Sequence, residues 1–219
     1  MLLIIKKETK VAKVVTFANV KGGSGKSTLC INMAAILVRA GYSVAIIDAD
    51  HQKCSQDWIT GTKDKLLSRV EIIEPVELKV AEDVEVDFLL IDTQGSLTKE
   101  MAQFLLQSSL IITPCRASRD DIVGQGWIEV FLKQSNQNIK KAPILTVLNG
   151  VNKRSSILSH VIEQLKEDGV KVAETCISQR VCFAETNVNK ISVIGYNKHA
   201  TKEIVDLTNE ALNLIKSEV

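Results

Sequence analysis

Short, mostly apolar runs recur along the chain, with segments of helical length between them. Val14-Val15-Thr16-Phe17-Ala18, Ser43-Val44-Ala45-Ile46-Ile47, Asp87-Phe88-Leu89-Leu90-Ile91, Leu110-Ile111-Ile112 and Pro143-Ile144-Leu145-Thr146-Val147-Leu148 read as strands. Apolar residues fall at helical spacing over Lys26 to Arg39, closed by Gly41, and again over Ser156 to Lys166 and Thr201 to Ile215. Continuous rather than alternating apolar strands imply burial on both faces. Strand–helix alternation implies right-handed parallel crossovers. The pattern predicts a single α/β domain over residues 1–219, with a mostly parallel twisted sheet flanked by helices. Ligands of such sheets sit at the carboxyl ends of the strands.

Composition narrows the class. The chain has 219 residues, enough for a substantial core, with 45% hydrophobic and 24% charged residues, the balance of a globular protein. A net charge of +1 supplies no global field toward nucleic acid, so any such binding needs a local patch. The opening run Met1-Leu2-Leu3-Ile4-Ile5 ends at Lys6-Lys7, too short for a signal segment or a membrane span. Cys30, Cys54, Cys115, Cys176 and Cys182 show no C-x-x-C pair and read as reduced thiols of a cytoplasmic protein.

The chemistry concentrates after the first strand. Three of the four residues Gly22-Gly23-Ser24-Gly25 are glycine, which lets backbone N–H groups close on an anion without a Cβ in the way. The helix beginning near Lys26 adds its positive end. In this reading Lys26 reaches the β- and γ-phosphates and the Ser27 hydroxyl ligates Mg²⁺. The strict G-x-x-x-x-G-K-[ST] pattern is not met, because Val20 stands where its first glycine belongs. Phe88-Leu89-Leu90-Ile91-Asp92 is an apolar strand ending in a carboxylate, the form of a group that holds Mg²⁺. Ile46-Ile47-Asp48-Ala49-Asp50 ends in two carboxylates. Either strand end taken alone is equally a cap or turn aspartate.

Lys21-Gly22-Gly23-Ser24-Gly25-Lys26-Ser27-Thr28, Asp48-Ala49-Asp50 and the Asp92 strand together resemble the ParA/MinD group of deviant Walker A ATPases, which are P-loop NTPases. Within the group the chain looks most like the small ParF-type partition ATPases. The first strand begins near Lys13, leaving no room for the N-terminal DNA-reading domain of larger relatives. The resemblance implies ATP, ADP and Mg²⁺ as ligands, cradled by Gly22 through Thr28. It implies an ATP-sandwiched homodimer in which Lys21 crosses the interface to the partner's phosphates. Asp50 then positions the attacking water and Asp48 supports the Mg²⁺ site. Ile177-Ser178-Gln179-Arg180-Val181 looks like the segment bordering the adenine. Asn149 either presents its side chain to the base or is a plain turn residue before Gly150. His51 departs from the proline usual in D-x-D-P-Q, and Asp92-Thr93-Gln94-Gly95-Ser96 lacks the proline many relatives carry. Gly95 is suited to bring a second switch loop's backbone near the γ-phosphate.

Partners follow from the same resemblance: nonspecific DNA through a basic patch, and a small centromere-binding adaptor that stimulates slow hydrolysis. The patch candidates are Arg116, Arg119, Lys140, Lys141, Lys153, Arg154, Lys190, Lys198 and Lys202, with Lys198 and Lys202 favoured. The tail from Asn209 to Val219 carries more acid than base and no aromatic, unlike a lipid-binding amphipathic helix, so no membrane partner is expected. The resulting expectation is a plasmid-partition ATPase, nucleoid-associated when ATP-bound. The alternative is a VirC-type factor recruiting a DNA-transfer complex.

Overall fold

The computed structural model describes residues 11–75, 84–96, 98–118, 128, 130–131 and 142–217. Strands β1 (Lys13–Phe17), β2 (Val44–Ala49), β3 (Glu71–Ile73), β4 (Phe88–Thr93), β5 (Leu110–Cys115), β6 (Ile144–Val151) and β7 (Ile177–Ser178) form one sheet in the order β3-β2-β4-β1-β5-β6-β7. Every pairing between these strands is parallel. Helices α1 (Lys26–Arg39), α2 (Cys54–Thr60), α3 (Lys99–Gln107), α4 (Ser156–Glu167), α5 (Val181–Val188) and α6 (Lys198–Ser217) flank it.

The central strands carry the prediction of two-sided burial. Every residue of β4 and β5 is buried, and β1 is buried from Val14 onward. One face packs Val15, Phe17, Ile46, Leu90 and Ile112 against Leu29, Met33 and Leu37 of α1 and Ile204 and Leu207 of α6. The other face packs Val14, Ile47, Leu89 and Ile91 with Phe104 of α3. Each such fully buried side chain contributes about 1.5–3 kcal/mol of apolar transfer. The five cysteines are all free thiols. No helix among the described residues is long and apolar enough to cross a membrane.

The strand order places the site. From β1 the chain crosses to β2 over β4, and later returns to β5 on the other side of β1. The carboxyl end of β1 is therefore the switch point where a parallel sheet opens a crevice. Phe17 pairs with Asp92 and Asp48 pairs with Asp92 across the adjoining ladders, so three strands deliver the loop and both acidic ends to one edge.

Candidate nucleotide site

The turn from β1 into α1 is built by backbone conformation. Gly23 (φ 73°) and Gly25 (φ 94°) are left-handed, and Gly25 is the residue that opens α1. No side chain caps that helix and its first turn holds no acid, so its N–H groups and positive end stay available to an anion. Lys26 is buried at 7% exposure, with Nζ folded back 3.4 Å from the Lys21 carbonyl. Burial pulls its ammonium below the usual lysine range, against the raising pull of Asp92 and Asp50. Lys21 is half-buried at the loop's entrance, its N–H donated to Asn19 Oδ1 at 2.9 Å.

The acidic strand ends take unlike environments. Asp92 is fully buried; it accepts a 2.5 Å bond from Ser55 Oγ on Oδ2, while its Oδ1 has no hydrogen-bond partner in the protein. Burial raises its acid to about 6, opposed by the Ser27 and Ser55 hydroxyls. Ser24 Oγ is a second buried oxygen with no partner. Asp48 is buried with both oxygens spent on backbone: Oδ1 takes the Asp50 N–H and Oδ2 the Gln56 N–H, each at 3.0 Å. It thereby caps α2 from the end of β2. Asp50 is half-exposed and forms a turn by accepting the Gln52 N–H at 2.9 Å. A cleft of about 860 Å³ joins these parts, lined by Gly22, Gly23, Gly25 to Thr28, Asp50 to Gln52, Cys54, Gln94 to Ser96, and Phe183, Ala184, Asn187 and Val188 of α5.

Residues 15–193 match the family model of the CobQ/CobB/MinD/ParA nucleotide binding domain. The chain belongs to that family. As a MinD/ParA-family chain it is 26% identical over 211 residues to the maintenance of carboxysome distribution protein A of Halothiobacillus neapolitanus, covering 92% of this chain and 97% of the relative. A Borrelia burgdorferi plasmid partition protein crystallised with AMPPNP superposes at a TM-score of 0.74 with 20% identity, over 95% of this chain and 100% of that one. A Cyanothece McdA–ATP complex superposes at 0.77 with 15% identity, over 93% and 97%. These likenesses establish the P-loop fold of the family.

Within this MinD/ParA-family chain, several contacts around the loop lie beyond the motif. Asn149, in β6, donates from Nδ2 to the Ser24 carbonyl at 2.7 Å and stands over Gly25, where an added Cβ would lie 2.1 Å from it. Its amide nitrogen is thus committed to the loop's own backbone. Arg116, after β5, donates from Nη2 to the Gly23 carbonyl at 2.9 Å. Gly95 rests on the loop's entrance, where an added Cβ would meet Gly22 N at 2.8 Å. Gly95 therefore brings its segment against Lys21 and Gly22.

Arg180 precedes α5 and does not line the cleft. Its Nη2 bonds Glu203 Oε1 at 3.2 Å, and its Nε is buried without a partner. Sequence reasoning passed over Glu203, because its partners come from segments 23 to 50 residues away. Of the basic residues, Lys153 pairs with Glu203, Lys190 with Asp57 and Lys202 with Asp206. Arg154 and Lys198 are exposed, and Arg119, Lys140 and Lys141 lie outside the described residues.

Proposed function

We propose that this chain is an ATPase switch for DNA partition, dimerising around ATP and reset by hydrolysis. The observation that carries this reading is the pairing of a left-handed glycine cradle, with Lys26 folded over it, and two buried oxygens, Asp92 Oδ1 and Ser24 Oγ, that the protein leaves unpartnered. A buried polar atom without a partner costs stability unless a ligand completes it. Gly22 to Thr28 hold the phosphates of ATP and then of ADP, with Lys26 neutralising the β/γ end. The hard oxygens of Ser27 and Asp92 would hold Mg²⁺, which would supply positive charge to neutralise the charge developing in phosphoryl transfer. Asp48, whose oxygens are bonded to Asp50 N and Gln56 N, supports the metal site by fixing the β2–α2 turn. Asp50 orients water. Arg180 belongs to the base-side boundary, acting through the backbone it anchors, and Asn149 borders the nucleotide from the loop, through the Ser24 carbonyl.

Lys21 is the second cation. The carbonyl of Lys21 accepts from Lys26, and its side chain reaches the nucleotide of a second copy. A cation supplied across an interface couples dimerisation to phosphoryl transfer, as an arginine finger does, and such groups are worth about 10³–10⁵ in rate. The dimer doubles a basic patch, with Lys198 and Lys202 the favoured residues, and rides nonspecific DNA by counterion release. A small centromere-binding adaptor accelerates the slow hydrolysis. The protein then works in the cytoplasm, on the nucleoid when ATP-bound, with residues 1–219 acting as one domain.

The test is binding to random-sequence duplex DNA with MgATP and with MgADP over a salt series, beside light scattering of Lys21→Ala. Binding with ATP alone, falling steeply with salt, supports the reading, as does a Lys21→Ala protein that binds ATP yet stays monomeric. DNA binding that ignores the nucleotide, or a Lys21→Ala protein that still dimerises and turns over, overturns it.

A further inference from the structure

We propose that Glu203, on α6, is a positioning residue that sets the base-side wall of the nucleotide cleft; this rests on the nucleotide reading above. Glu203 is 8% exposed and its carboxylate is fully engaged. Oε1 accepts from Lys153 Nζ at 2.8 Å, Ser178 Oγ at 2.7 Å and Arg180 Nη2 at 3.2 Å, and Oε2 accepts the Ser178 N–H at 3.1 Å. Those donors come from two stretches of backbone, one after β6 and one running from β7 into α5. Lys153 lies just past β6, Ser178 ends β7, and Arg180 is the residue from which α5 begins.

One carboxylate on a long, well-packed helix therefore fixes the origin and direction of α5. That helix is the cleft's least polar wall. Phe183, Ala184 and Val188 face the space that Gly22 to Thr28 open at the other side, and Asn187 adds a single amide. A polyanion has no use for an apolar wall, whereas a heterocyclic base does. Arg180 is only 23 residues from Glu203 and does not itself line the cleft, so its contribution passes through this clamp. Charge-assisted bonds of this kind are the strong ones, and four of them on one buried group make a rigid joint.

The experiment is calorimetric binding of MgATP, and its competition by inorganic tripolyphosphate, to full-length wild type, Glu203→Gln and Glu203→Ala, with thermal melts alongside. The expected result is a loss of about tenfold or more in ATP affinity in both variants while tripolyphosphate competes within about twofold of wild type. Glu203→Gln keeps the shape and guards against a variant that fails to fold. An unchanged ATP affinity in Glu203→Gln overturns the proposal. So does an equal loss for ATP and tripolyphosphate, which marks general damage to the site. Wild type that binds neither probe is a different result: it removes the nucleotide reading itself.

Discussion

Two buried carboxylates define opposite ways of using an acid in this molecule. Asp92, at the end of β4, is fully buried with one oxygen bonded to Ser55 and the other to nothing, and burial lifts its acid to about 6. Glu203, at the start of α6, is nearly as buried but holds four donors. The Lys153, Ser178 and Arg180 bonds outweigh its burial and hold it down at about 2. The first region is left unsatisfied within the protein, and the second is complete. An unsatisfied acid beside the glycine loop is where the proposed nucleotide site lies. A satisfied one marks a place where the fold is held.

The sharpest way to break this contrast is on the Asp92 side. Lys26→Ala removes the buried cation beside it and is expected to weaken MgATP by about 100-fold or more, read by calorimetry. MgATP affinity within about tenfold of wild type would detach the loop from nucleotide chemistry. On the other side, Glu203→Ala removes an acceptor of four bonds and is expected to cost about 1–3 kcal/mol of folding stability in urea titrations. A loss below about 1 kcal/mol would show that the clamp is ornamental.

Proton linkage separates the pair by sign. The folded acid of Asp92 is raised from 3.8 to about 6, so its favourable contribution is full below pH 4 and disappears as pH climbs through 6. In nucleotide-free protein with EDTA, Asp92→Asn should therefore gain about 2–3 kcal/mol on wild type between pH 4 and pH 7. A gap that stays constant across that range contradicts the raised acid of a buried Asp92. For Glu203 the folded acid is lowered from 4.5 to about 2, so its contribution stands above pH 4.5 and is lost on acidification toward 2.

Smaller effects test the packing between the regions. Gly25→Ala puts a Cβ 2.1 Å from Asn149 Nδ2 at a φ of 94°, and a cost of about 1–3 kcal/mol should appear as a lowered Tm. A neutral outcome would mean that the loop relaxes freely. The exposed Lys202–Asp206 pair, one turn apart on α6, supplies the floor: Lys202→Met should change stability by less than about 0.5 kcal/mol.

The legible parts of this protein are those written in consecutive residues. Helix α1 runs over the residues its periodicity gives, and the five long apolar strands lie where their runs predict, within a few residues at each end. The edge strands were hidden by brevity. Glu71–Ile73 and Ile177–Ser178 are too short to carry a period, and they pair only because longer neighbours present an edge. Helix α2 is seven residues and is capped by Asp48 from outside itself, an arrangement no local cap signal announces. The glycine loop and its lysines were readable because one turn contains them. Arg116 and Glu203 were not, since a basic residue after a strand and an acid in an amphipathic helix look like surface until the fold brings Gly23 and Arg180 to them.

The braces on the glycine loop carry a kinetic consequence. Arg116 holds the Gly23 carbonyl and Asn149 the Ser24 carbonyl, so the protein's own side chains help set the loop's left-handed turns. Little backbone entropy is then lost on capture. Arrival is governed by diffusion and orientation rather than by loop ordering, and differences in how long a ligand stays are written into its departure.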